Sequence, residues 1–173
     1  MKQTQLLLFL LFFGLIFFSC KKIENSSSFE KSYQEWLSFK KTSGNSYRYT
    51  VLRSSWIGLS WQTDIVVSGG KVIQRSYKVI PTNGAIVDIP VGEMEWIENG
   101  DEVDTHENTP AANAVTLDRI YEEARNNWLK KRTNSTTYFE AKNDGLISSC
   151  GYSDNDCTDD CFNGINIISI EPV

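Results

Sequence analysis

Seven consecutive residues, Asp154-Asn155-Asp156-Cys157-Thr158-Asp159-Asp160, make the densest run of metal-type ligands in this 173-residue chain. Hard oxygens of this kind suit calcium, which takes about six to eight of them when they converge. Counted from Asp154, however, Asp159 stands where an EF-hand has its glycine and Ile165 where it has its bidentate glutamate. A solvated acidic loop is the first expectation, and a calcium-dependent binding module the alternative. Cys157 and Cys161 are spaced well enough for zinc, but the remaining ligands would have to be Cys150 and the lone His106, with no second close pair. His106 lies in an acidic, polar stretch where a solvated imidazole is expected, and no nucleophile or base stands beside it in sequence. With one histidine and no nucleophile-elbow pattern around any serine, no Ser-His-Asp triad can be assembled. Glu93, Glu95 and Glu98 supply carboxylates that a glycosidase could use, yet Glu93 and Glu95 more simply describe the wet side of a strand. Trp56 and Trp61 flank a Gly-containing loop. Exposed indoles there would stack on a sugar or anchor a protein partner, while buried ones would fill a core, which is the expectation for a domain of this size.

The N-terminus sets the compartment in which these groups work. Met1 and Lys2 give a positive start, an apolar run follows from Leu6 to Phe18, and Ser19-Cys20 ends it. The run is too short for a stable transmembrane helix and reads as a processing signal. A small residue directly before a cysteine suits lipoprotein signal peptidase, which cleaves ahead of a diacylated thiol, although Phe18 occupies a position where a small residue is commoner. The expected organisation is a lipoprotein signal peptide over residues 1–19, a lipidated tether over 20–26 beginning at Cys20, and a single domain over 27–173. In an oxidising envelope the three remaining cysteines cannot all pair internally. One disulfide is expected, with Cys150 and Cys161 the favoured partners, closing a loop that would stabilise by roughly 3 kcal/mol; the third thiol is left free or intermolecular. A formal charge of -5 disfavours binding to a phosphate backbone, so nucleic acid is not an expected partner, and no cofactor is expected.

The elements that must position these residues follow from periodicity. Phe29, Tyr33, Trp36, Leu37 and Lys40 recur at helical intervals, with Ser27 and Glu30 at capping-box spacing and Gly44 as a stop. Tyr47, Tyr49 and Val51 alternate with Arg48 and Thr50 as a half-buried strand does. Trp61 to Val67, a Gly69-Gly70 turn and Lys71 to Ile80 read as an antiparallel hairpin. Two short strands, 85–89 and 93–97, are expected next, then a polar and mobile loop over 99–112. Leu117, Ile120, Tyr121, Ala124 and Trp128 share one helical face, and strands at 137–142 and 165–170 close the chain, with Asn163-Gly164 as a turn between them. The predicted class is α+β, an antiparallel sheet packed against two helices.

Three stretches together, Asn45-Ser46-Tyr47-Arg48-Tyr49-Thr50-Val51, Ile65-Val66-Val67-Ser68-Gly69-Gly70-Lys71-Val72 and Thr116-Leu117-Asp118-Arg119-Ile120-Tyr121, resemble the DUF6174 family of bacterial secreted and lipoprotein domains. That resemblance implies an envelope location and brings no activity with it. Members of that family often carry a cysteine pair just after the first strand, where this chain has Ser54-Ser55-Trp56. The functional expectation is a non-catalytic cell-envelope lipoprotein that is not an enzyme, bound to the membrane through Cys20 and interacting with an unknown envelope protein or ligand. An enzyme acting on envelope polymers ranks last. Lys21 and Lys22 do not resemble the acidic retention signal of some inner-membrane lipoproteins, so the outer membrane is the expected destination, and Glu24 hints at surface export.

Overall fold

The computed structural model describes residues 23, 25–55, 58–81, 90–159 and 161–173. Seven strands form one antiparallel sheet: β1 Tyr47–Ser54, β2 Leu59–Ser68, β3 Lys71–Pro81, β4 Glu95–Asn99, β5 Ser135–Glu140, β6 Ser149–Asp154 and β7 Phe162–Pro172. Their order across the sheet is β4-β3-β2-β1-β7-β6-β5, so the first and last strands of the chain meet at its centre. Helix α1, Ser26–Thr42, precedes the sheet; a single turn, α2 Val91–Met94, leads into β4; and α3, Leu117–Glu123, continues as a π-helical segment over Ala124–Trp128. The fold is α+β, as the periodicities predict.

Alternation explains which face is buried. Tyr47, Tyr49 and Val51 of β1 point inward with Ile65 and Val67 of β2, and they meet Phe29 and Trp36 of α1 and Leu117, Ile120 and Tyr121 of α3. The aromatic hydroxyls in this core are all used. Tyr47 accepts the Leu117 N–H at 2.9 Å, Tyr49 donates to the Val115 carbonyl at 2.5 Å, and Tyr121 accepts the Ile147 N–H at 3.0 Å while facing the Ser32 hydroxyl at 2.8 Å. Burial pushes all three phenols above their ordinary value. These bonds fasten the entry to α3 onto β1 and the β5–β6 connection onto α3, supplying partners to backbone groups that have none in a ladder.

Several expectations need correction. Helix α1 starts two residues earlier than the capping box implies: Asn25 holds the cap position in a left-handed conformation and no side chain caps the helix. Leu37, placed on the apolar stripe by spacing, is 40% exposed, and Ser32 is buried in its stead against Tyr121. The strand expected at 93–97 begins at Glu95 after the α2 turn, and the one expected at 85–89 lies outside the described residues. The 99–112 segment is tied down by side-chain hydrogen bonds. In the C-terminal third, a further strand, β6, lies between the two expected closing strands, and Asn163-Gly164 lies within β7 rather than in a turn.

Gly164 shows why that dipeptide is no turn. It pairs directly with Gly151 of β6, and a Cβ on Gly164 would collide with the Cys150 carbonyl oxygen and the Gly151 backbone. A Cβ on Gly151 would meet the Asn163 carbonyl at 2.5 Å and the Phe162 ring at 2.6 Å. The two glycines let β6 and β7 approach under the Phe162 ring. Gly164→Ala should therefore lower stability by about 1–3 kcal/mol, since only backbone movement relieves the clash; an unchanged urea midpoint in the alanine variant would contradict this packing.

Candidate functional site

Strands β3 and β4 carry the sheet beyond the two helices, and there the inward face changes character. In register, Arg75 stands opposite Glu98 and Tyr77 opposite Trp96. Arg75 donates from Nε to Glu98 Oε2 at 2.7 Å and from Nη2 to Oε1 at 2.9 Å, with the two side chains only 2% and 1% exposed. Its remaining donors reach Asp104 Oδ1 at 2.8 Å, the Ala112 carbonyl at 3.4 Å and the His106 carbonyl at 3.3 Å. Glu98 accepts the backbone N–H groups of Asp104 and His106 at 2.8 and 2.7 Å. His106 Nδ1 lies 2.8 Å from Glu98 Oε1, so the ring carries a proton on Nδ1 and donates it to the carboxylate. Burial would raise the Glu98 carboxyl, but the hydrogen bonds from Arg75, from the His106 and Asp104 backbone and from the His106 ring hold it well below the usual carboxylate range. One carboxylate on a sheet edge thus organises the whole 100–112 segment.

On this floor lies an aromatic cleft of 350 Å³. The His106 ring stacks on Trp96 with centroids 4.2 Å apart and planes 4° from parallel, and Tyr77 stacks beside Trp96 at 5.3 Å. The Arg75 guanidinium sits 5.0 Å from the Trp96 centroid. Trp61 of β2 completes the wall, packing against the buried Tyr77, Val79 and Ala111. Burial raises the Tyr77 hydroxyl above its ordinary value, with a hydrogen bond from Trp61 partly opposing the shift. The rim is polar, with Glu93 and Glu107 on it. Aromatic walls with a few polar groups at the mouth, set on an ion-paired base, have the make-up common to small-ligand sites.

No family model matches this chain, and neither a curated protein nor a solved structure matches it. The chemistry of the cleft therefore rests on its own residues. Glu98, the one strongly perturbed carboxylate here, has both oxygens occupied, and His106 Nδ1 is spent on it. His106 is exposed, as expected of a loop imidazole, but its ring is held in place: Nδ1 donates to Glu98 and one face stacks on Trp96.

Of the other sequence-derived candidates, Glu93 reaches this cleft at its rim and the rest do not join it among the described residues. Cys20 and Trp56 lie outside the described residues, while Glu95 is exposed on β4 and Glu93 is exposed on the α2 turn. The disulfide joins Cys157 to Cys161, with Cα atoms 5.9 Å apart, and replaces the expected Cys150–Cys161 pair. The reason is topological: Cys150 pairs with Phe139 and Ile165 on the inward face of β6, fully buried, whereas Cys157 and Cys161 sit at the exposed β6–β7 connection. Burial pushes the Cys150 thiol up to about 12. It should resist a thiol reagent at pH 8 in the folded protein and become titratable under denaturing, non-reducing conditions; rapid native labelling at Cys150 would contradict its burial.

In the acidic loop, Asp156 accepts a hydrogen bond from Asn134 and Asn155 Oδ1 one from the Thr136 hydroxyl. Among the described residues no three His, Cys, Asp or Glu side chains are grouped as a metal site requires, and Asp160 lies outside them. Tyr77, Trp96 and His106 were missed in the sequence as a group. An available signal was Arg75, alternating with Tyr77 and Val79 on a face that should be apolar.

Proposed function

We propose that this protein is a non-catalytic lipoprotein of the bacterial cell envelope, tethered through acylated Cys20, whose domain engages an envelope protein or ligand through the Trp61–Tyr77–Trp96–His106 cleft. The observation that carries the reading is the construction of that cleft. Four aromatic rings stand on a buried ion pair, at a sheet end that neither main helix covers, with half-buried indoles that an intermolecular contact would finish burying. Supporting it, both oxygens of Glu98 are taken up by Arg75 and His106, so the buried carboxylate under the cleft is not free to act as a base. Residues 20–22 and a bridge from Ile23 to Lys130 keep the tether short, so the domain stays close to the bilayer. Kinship with the DUF6174 family belongs to the same proposal, as does an outer-membrane location.

A photocrosslinking residue in place of Asn108, on the cleft rim, tests the proposal in cells making the full-length protein. A discrete adduct formed from Asn108 and not from the same residue placed at Lys41, at the C-terminal end of α1, is expected. Equal adducts from both positions, or none from Asn108, would contradict a binding role for the cleft.

A further inference from the structure

The aromatic cleft has a charge pattern that narrows its ligand. Glu93 and Glu107 both line it, both are exposed, and neither carboxylate has a hydrogen-bond or ion-pair partner among the described residues. Among the described residues no lysine or arginine lines it. Arg75 lies beneath Trp96, but its charge is met by two carboxylates, Glu98 at 2.7 Å and Asp104 at 2.8 Å, so the base of the cleft is negative as well. The walls add to this, because the faces of indole and phenol rings are electron-rich and draw cations to within about 6 Å of the centroid.

Taken together, the geometry points to a receptor for an alkylammonium group, one that enters between Trp61 and Trp96 with its charge toward Glu93 and Glu107. This rests on the reading of the cleft as a binding site and specifies its ligand. A neutral sugar would also stack on an indole, but it would leave both rim carboxylates without a counter-charge. An anionic ligand would meet like charge on the floor and on the rim. An ammonium group satisfies both features at once: its methylenes lie on the rings and its charge neutralises the carboxylates. The source we assign is a lysine side chain of the envelope partner; a choline or ethanolamine headgroup and a polyamine are the other outcomes that the probes below distinguish.

The test uses the mature protein in detergent micelles, with the indole N–H resonances of Trp61 and Trp96 followed by NMR. The probes are Nα-acetyl-lysine methylamide, phosphocholine, spermidine and, as the neutral comparison, N-acetylglucosamine. Saturable shifts at both indoles with at least one ammonium probe are expected, and the probe that binds tightest identifies the source. Trp61→Leu should weaken that binding about 3- to 30-fold. The Glu93→Gln/Glu107→Gln variant, altered only at exposed positions, should keep its melting temperature and lose at least about fivefold in affinity. Undiminished ammonium binding in that variant overturns the inference. Binding of N-acetylglucosamine without any ammonium probe also overturns it while leaving the cleft a binding site. Silence from all probes, with a positive crosslink from Asn108, again refutes only the ligand class; silence in both experiments refutes the binding reading itself.

Discussion

Glu98→Gln should destabilise the protein by about 3–5 kcal/mol, the range for breaking a buried ion pair by removing one partner. The amide would still offer an acceptor to the backbone N–H groups of Asp104 or His106, but the buried Arg75 guanidinium would lose its buried, bidentate counter-charge and keep only the exposed Asp104 carboxylate. Arg75→Met should cost a similar amount, for it strands the Glu98 carboxylate with neutral donors only. The double variant Arg75→Met/Glu98→Leu should recover much of either loss, since neither charge then remains buried. Urea denaturation of the three variants checks this, and near-additive losses in the double variant would mean that the pair is not coupled. The pH dependence has a definite sign. The folded carboxyl titrates well below its unfolded value of 4.5, so the stabilisation is fully present above that value and is lost as the pH falls from there toward the folded pKa. Glu98→Gln should therefore flatten the acid limb of the stability curve. The 100–112 segment should also become protease-sensitive in that variant, because the carboxylate holds its backbone at Asp104 and His106.

Trp36→Ala should cost about 3–5 kcal/mol, as large-to-small changes at filled aromatic sites do. Trp36 is fully buried, stacked on Tyr121 at 6.0 Å, edge-on to Tyr47 at 5.3 Å and tilted against Phe39 at 6.1 Å. Its indole N–H donates to Asp118 at 3.1 Å, beside the Lys40–Asp118 ion pair, so the same ring joins α1, the sheet and the start of α3. Trp36→Phe keeps most of the ring contacts and gives up that one hydrogen bond, which should limit the loss to roughly a third of the alanine value. Leu37→Ala, one residue along on the exposed side, should change stability by no more than about 0.5 kcal/mol. Comparable losses at 36 and 37 in thermal melts would contradict the helix orientation.

The first half of the fold was readable because its signals were local. Helix α1 has a 3.6-residue pattern, β1 a two-residue one, and Gly69-Gly70 supplies two adjacent positive-φ residues, at 56° and 82°, where a tight hairpin needs them. Strand β6, Ser149-Cys150-Gly151-Tyr152-Ser153-Asp154, carries little strand propensity; it exists because β5 and β7 pair with it on both sides. Asn163-Gly164 has the composition of a turn and is overruled by the close approach of two glycines across strands. The disulfide was misassigned for the same reason, since without β6 nothing places Cys150 in the core. The cleft was invisible as a unit because it depends on register: only when β4 pairs with β3 do Arg75 and Glu98, and Tyr77 and Trp96, come face to face. His106 joins them from a segment whose composition reads as solvated loop, drawn in by a carboxylate eight residues before it.

Where the cleft faces, and what it can meet, depends on Cys20. Intact-mass analysis of the protein extracted from native membranes addresses that residue directly. The proposal predicts a chain that begins at Cys20, lacks residues 1–19 and carries a diacylglycerol on the thiol, with both features lost in Cys20→Ala. A mass corresponding to cleavage elsewhere, to residues 1–19 retained, or to an unmodified Cys20 would contradict the membrane-tethered binding module.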